Sequence, residues 1–174
     1  MRKVIFGVAN SFDNFIARKD NAVDWLLWSD DVTSIMTEFW KTIDTVVVGR
    51  KTYELALRGS GSASYPGMKT FVFSRTLKQS SDKNVQIVSE DAARFIRNLK
   101  RRKGKDICVM GGGDLARSLF AFDEIGFNIH PVLLGSGIPL FLPMKRQVDL
   151  KLLECRAIKK GCVLLRYGVK HRGK

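Results

Sequence analysis

Gly111, Gly112 and Gly113 stand together in "VMGGGDLARSLF", between an apolar run and a segment of helical spacing. Inside either element a glycine costs roughly 0.5–1 kcal/mol relative to alanine, so the run needs a reason. One is a tight turn that requires positive φ. The other is a turn stripped of side chains so that its N–H groups can meet a phosphate at a helix N-terminus. Two further stretches have the same character. "VVVGRKTYE" sets Gly49, Arg50 and Thr52 where an apolar strand gives way to a helix, and "FVFSRTL" sets Ser74 and Arg75 just past another strand. Arginine suits bidentate phosphate contact, and ligands of open α/β sheets bind at the carboxyl ends of the strands. Each arginine alone reads as a surface charge. Their joint placement favours an anionic ligand.

Other chemistries lack their residues. Gly111, Gly113 and Ala116 fit G-x-G-x-x-A, but a Rossmann unit needs an acid ending the next strand, and that strand runs into "HPVLLGSG". No metal-ligand spacing links Cys108, Cys155, Cys162, His130 and His171. Neither the zinc deaminase signature nor a G-x-S-x-G elbow occurs, and His130 reads as a structural histidine. Three scattered thiols read as buried and inert in a reducing compartment. With no signal peptide and no run of membrane-spanning length, the expectation is a cytoplasmic protein without a membrane partner.

The elements that must position these residues follow from patterning. The 174 residues, 45% hydrophobic and 27% charged, suit one soluble domain over 1–174. Short apolar runs at Lys3–Ala9, Asp44–Gly49, "KTFVFS", "VQIV" and "DICVM" read as strands. Between them Ser29 caps a helix to about Lys41, a helix opens at "RKTYELAL", Ser89 caps "EDAARFIRNLKRR", and "DLARSLFAF" follows the glycines. After Asp123 only long strands remain, the last two joined by "KKG". Alternating strands and helices with a β-only end give an α/β sheet with an antiparallel C-terminal edge. The net charge of +13 collects at element ends, as in "KRRKGK". It reads as solvated surface, with anion steering next and nucleic acid as an unfavoured partner.

"NSFDNFIA", "TVVVGRKTYE", "FVFSRTL" and "VMGGGDLA…FDEI" occur in the order found in the dihydrofolate reductase superfamily. The chain most resembles stand-alone relatives of the reductase domain of the bifunctional riboflavin-biosynthesis deaminase-reductase. The resemblance implies a mixed, mostly parallel eight-stranded sheet flanked by helices, with NADPH as hydride donor. By that pattern Arg50 and Thr52 meet the pyrophosphate and adenosine end, and Ser74 and Arg75 hold the 2′-phosphate. Gly111, Gly112, Gly113, Asp114 and Leu115 wrap the pyrophosphate through main-chain donors. Val8, Ala9, Ile16 and Ala17 line the nicotinamide, and the Asp13 loop closes over it. Related domains pair through C-terminal strands, which implies a homodimer.

The substrate side departs from the pattern. Met110 stands where riboflavin-type domains carry Glu, and Asp13-Asn14 stands for Asp-Gly, a turn that Asn supports by tolerating left-handed backbone. Asp30 falls at the position of the carboxylate that aids protonation in dihydrofolate reductase, and it equally suits a helix cap, with Asp13 the second candidate acid. Trp25 and Trp28 suit core packing or stacking on a heterocycle. The expected activity is NADPH-dependent hydride transfer to a small nitrogen heterocycle or ribosylaminopyrimidine. The alternative is a non-catalytic nucleotide-binding or nucleic-acid-associated protein that keeps the fold.

Overall fold

The computed structural model describes residues 1–60, 64–111, 115, 122–144 and 147–170. Apolar runs rich in Val, Ile and Phe become the strands of one sheet: β1 (Val4–Ser11), β3 (Ile43–Gly49), β4 (Lys69–Phe73), β5 (Val85–Val88), β6 (Asp106–Met110), β7 (Glu124–His130), β9 (Asp149–Ala157) and β10 (Val163–Lys170). A separate pair, β2 (Phe15–Ala17) and β8 (Ile138–Pro139), forms a small second sheet. β2 is not among the apolar runs that mark strands in the sequence, because three residues carry too little periodicity to show as one.

The eight strands run in the order β5-β4-β3-β6-β1-β7-β10-β9. Neighbours from β5 to β7 pair in parallel, and β10 pairs antiparallel with both β7 and β9. This is the mixed, mostly parallel sheet with an antiparallel C-terminal edge. Its parallel strands are near-continuous apolar runs because helices cover them.

Three α-helices of more than one turn lie among the described residues: α1 (Asp30–Lys41), α2 (Arg50–Ser60) and α3 (Ala92–Lys100), with a short 3-10 turn at Lys159–Gly161 between β9 and β10. Ser29 caps α1, its hydroxyl accepting from Val32 N, with Asp30 and Asp31 in the first turn against the helix dipole. For α3 the cap is Asp91, whose carboxylate accepts from Arg94 N at 2.8 Å. Ser89 stands too early in the chain for that bond. The helix expected over "DLARSLFAF" lies outside the described residues except for Leu115 and Phe122, both buried.

Two cores flank the sheet. Phe6, Val47, Val109, Ile125 and Leu115 pack with Phe95, Ile96 and Leu99 of α3 on one face. Val46, Val48, Val72 and Cys108 pack with Tyr53 of α2 and with Phe39 and Trp40 of α1 on the other. Cys108 and Cys162 are buried, and burial pushes the Cys108 thiol up to about 12. Cys155 is exposed, against expectation, because β9 is an edge strand. No helix among the described residues is long and apolar enough to cross a membrane.

Candidate active site

In a parallel sheet the strands all end at one edge, so the anion-binding stretches meet in space. Gly49 pairs with Phe73, the residue before Ser74, and Val48 pairs with Met110, the residue before Gly111. Gly111 has φ +132, a conformation in which L side chains are rare. A methyl built there would stand 3.1 Å from Thr52 Oγ1, 3.4 Å from Gly49 N and 3.6 Å from Leu115 Cδ1. The end of β6 therefore lies bare against the N-terminus of α2, where unpaired N–H groups favour negative charge. Leu115 also fills the space beside Gly49, with its Cδ1 3.6 Å from a methyl built there. Gly112, Gly113 and Asp114 lie outside the described residues.

A cleft of about 430 Å³ opens beside α2, with Lys19, Asn21, Arg50, Lys51, Glu54 and Arg58 among its lining residues. Arg50 Nη1 is held by Glu54 at 2.7 and 3.0 Å, which orients the guanidinium. A larger depression of about 600 Å³ lies at the opposite edge, among Arg2 and Lys100 to Lys103. It is remote from the glycine turn and holds much of the "KRRKGK" charge.

Ser74 is 8% exposed, and its hydroxyl oxygen accepts from Thr76 N at 3.2 Å and Leu77 N at 2.8 Å. The hydroxyl shapes the turn and also lies 3.4 Å from Thr76 Oγ1, either oxygen being able to donate to the other. Arg75 beside it is exposed and makes no ion pair among the described residues. On β1, Val8 packs against the core on the α3 side, together with Ile16, while Ala17 is buried. Ala9 points to the opposite face by strand alternation.

The two candidate acids differ in setting. Asp13 accepts from Ser11 Oγ at 2.6 Å, Leu134 N at 3.1 Å and Gly135 N at 2.7 Å. These bonds, the Ser11 hydroxyl foremost, hold its pKa below the ordinary carboxylate value. Asp13 is thus an ionised tie between the β1–β2 turn and the loop after β7, a positioning group rather than a proton donor. The turn is completed by Asn14 at φ 64, the left-handed position expected of it. Asp30 is exposed and free of the capping duty that Ser29 performs. Since α1 leads directly into β3, its first turn lies toward the carboxyl edge.

On the α1 and α2 face Met110 packs into an aromatic corner. Tyr65 Oη donates to Met110 Sδ at 3.4 Å and stacks on Trp40 with ring centroids 5.1 Å apart. β7 adds polar side chains to this face, with Glu124 at its amino end and Asn128 and His130 at its carboxyl end. Glu124 bonds Lys3 Nζ and Arg166 Nη2, each at 2.7 Å. Burial pushes its pKa up, but the two cations outweigh burial and hold it below the usual value. His130 is 2% exposed and accepts from Leu27 N at 3.1 Å, a structural histidine as expected. Trp25 is buried edge-on to it, whereas Trp28 is 63% exposed. Asn128 escapes sequence reading, for nothing local to "EIGFNIH" says which face of the sheet each side chain takes.

YwjB of Bacillus subtilis strain 168, itself uncharacterized, is 34% identical over 155 residues, which are 87% of this chain and 89% of that protein. A Shewanella sp. PV-4 protein provisionally named for riboflavin biosynthesis superposes with a TM-score of 0.83 at 23% identity, over 97% of this chain and 99% of that one. The Thermotoga maritima diaminohydroxyphosphoribosylaminopyrimidine deaminase/5-amino-6-(5-phosphoribosylamino)uracil reductase gives 0.73 at 16% identity, over 97% of this chain and 57% of that one. Enterococcus faecalis dihydrofolate reductase, complexed with NADP(H), gives 0.67 at 16% identity over 97% of both chains. These structures share the dihydrofolate reductase-like fold. Residues 2–164 match the RibD C-terminal domain, and the chain belongs to that reductase-type family.

Proposed function

We propose that this protein is an NADPH-dependent reductase of a small nitrogen heterocycle, a ribosylaminopyrimidine foremost. The observation that carries the reading is the order of four adjacent strands. Ser74 and Arg75 follow β4, Gly49 to Thr52 follow β3, Gly111 follows β6, and Val8 and Ala9 lie on β1. Three strand spacings of about 4.8 Å span about 14 Å, a length suited to an extended dinucleotide. Along that line the 2′-phosphate would meet Arg75 and the Ser74 hydroxyl. The pyrophosphate would meet Arg50, Thr52 and the bare Gly111 turn, whose missing side chain leaves room for the approach. The nicotinamide would lie against Val8, Ala9, Ile16 and Ala17.

When bound, NADPH supplies the hydride, and the chain supplies position and a proton. Asp13 holds the loop that borders the nicotinamide end. Asp30 is the acid from which a proton would pass to the reduced nitrogen, directly or through water. Met110, Tyr65 and Trp40 make an apolar wall that keeps solvent from the reacting face. The exposed edge strand β9, with Leu152 and Leu153 at 52% and 48% exposure, is where the expected homodimer would form.

The test is NADPH consumption at 340 nm with ribosylaminopyrimidines and pteridines as acceptors. Turnover with NADPH and weaker turnover with NADH is the expected result. Tight NADPH binding without consumption by any such acceptor would favour the non-catalytic alternative.

A further inference from the structure

The sheet face that carries α1 and α2 is bare at its middle. Gly7 of β1 and Gly126 of β7 are register partners, and a methyl built on either meets nothing within 4 Å. Of α1, Val32 is buried, and Phe39 and Trp40 pack against the part of this face built on β3. Beyond Gly126 on the same face of β7 come Asn128 and then His130.

The hydrogen bonds of His130 fix what Asn128 presents. Nδ1 accepts from Leu27 N and lies 3.5 Å from Cys162 Sγ, whose S–H can donate to it as well, and burial keeps the imidazole pKa below its ordinary value. The neutral ring therefore carries its proton on Nε2. That nitrogen lies 3.2 Å from the atom assigned as Asn128 Nδ2, while the atom assigned as Oδ1 is buried and without a partner among the described residues. An N–H there requires the amide oxygen to face it, and the orientation of an amide is settled by such bonds. The Asn128 NH2 then takes the other amide position, which is buried and without a partner among the described residues. Trp25 stands edge-on to the same imidazole at a centroid distance of 5.4 Å, and its buried Nε1–H is equally unpartnered. Buried donors left unpaired cost stability, and Asn128 shares a strand face with the open Gly126, so its unpaired NH2 is provision for an acceptor.

We propose that Asn128 is a specificity-determining residue: its amide NH2, oriented by His130, takes a ring carbonyl oxygen of a pyrimidine lying over Gly7 and Gly126. Trp25 Nε1–H supplies a second donor near the same imidazole. The inference rests on the reading that the cleft receives a nitrogen heterocycle, and it adds which edge of that ring the chain recognises. A ring bearing amino groups in place of carbonyls would set donor against donor.

The experiment compares 5,6-diaminouracil with 2,4,5,6-tetraaminopyrimidine, titrated into the protein with and without NADPH and read by tryptophan fluorescence and melting temperature. Wild type is expected to prefer the uracil by about tenfold or more, the effect of one unpaired buried donor. Asn128→Asp keeps the acceptor for His130 Nε2–H and replaces the outward donor with an acceptor, so the preference should reverse while NADPH affinity stays unchanged. Asn128→Leu should lose the uracil preference and also leave NADPH affinity unchanged. Equal binding of the two rings by wild type, or an unaltered preference in both variants, overturns the role of Asn128 and leaves the reductase reading standing. Binding of neither ring overturns that reading, and this inference with it.

Discussion

Replacing Gly111 with alanine tests both meanings of the glycine turn at once. The backbone there is at φ +132, and the added methyl would stand 3.1 Å from Thr52 Oγ1 and 3.4 Å from Gly49 N. Holding a non-glycine residue in such a conformation costs about 1–3 kcal/mol. For a domain of this size each kcal/mol lowers the melting temperature by about 2–4 °C, so Gly111→Ala should melt about 2–12 °C below wild type. The methyl also fills the approach to the N-terminus of α2, so the rise in melting temperature that NADPH produces in wild type should vanish. Gly7→Ala is the matched control. It has ordinary backbone and nothing within 4 Å of the new methyl, and a strand-interior alanine is favoured by about 0.5–1 kcal/mol over glycine. It should melt at or slightly above wild type and keep the NADPH response. The two variants are compared by thermal melting across a cofactor titration. A Gly111→Ala protein that matches wild type in both melting and NADPH response would refute the reasoning.

Three further perturbations separate the remaining roles. Arg75→Ala should weaken NADPH binding by about 1.5–3 kcal/mol, the worth of a charge-assisted bond, and leave NADH unchanged in parallel titrations; equal losses would remove Arg75 from the 2′-phosphate. Asp13→Asn should lower the melting temperature at neutral pH. Its carboxyl titrates below the ordinary value, so the stability it lends is present above about pH 4 and is lost as pH falls through the folded pKa. The gap between wild type and variant should therefore close in acid, and a gap independent of pH would contradict the tie. Asp30→Asn should cost less than about 1 kcal/mol of stability, since Ser29 is the cap, yet slow turnover by about a hundredfold or more; unchanged turnover would assign the proton to solvent.

Local patterning carried much of this architecture. The run "DTVVVG" is buried on both faces and cannot be anything but a central strand, and Ser29 followed by Asp30 and Asp31 marks the start of α1 as clearly as any cap can. Gly111 was legible too, because three adjacent glycines are hard to explain without a turn that requires them. The bare floor at Gly7 and Gly126 was not legible. Gly7 and Gly126 become neighbours only through the β1–β7 register, which no local pattern states. Glu124 takes its partners from Lys3, just ahead of β1, and from Arg166 of β10, and His130 takes Leu27 from the loop before α1, so their significance is tertiary. The cap of α3 moved from Ser89 to Asp91 for a smaller reason: both residues can cap, and only the exact start of the helix decides between them.

The most direct measurement of the central claim is a crystal structure with NADPH bound. The account places the 2′-phosphate on Ser74 and Arg75, the pyrophosphate on Arg50, Thr52 and the turn beginning at Gly111, and the nicotinamide against Val8, Ala9, Ile16 and Ala17. A cofactor lying elsewhere, or one whose pyrophosphate does not touch the Gly111 turn, would contradict it.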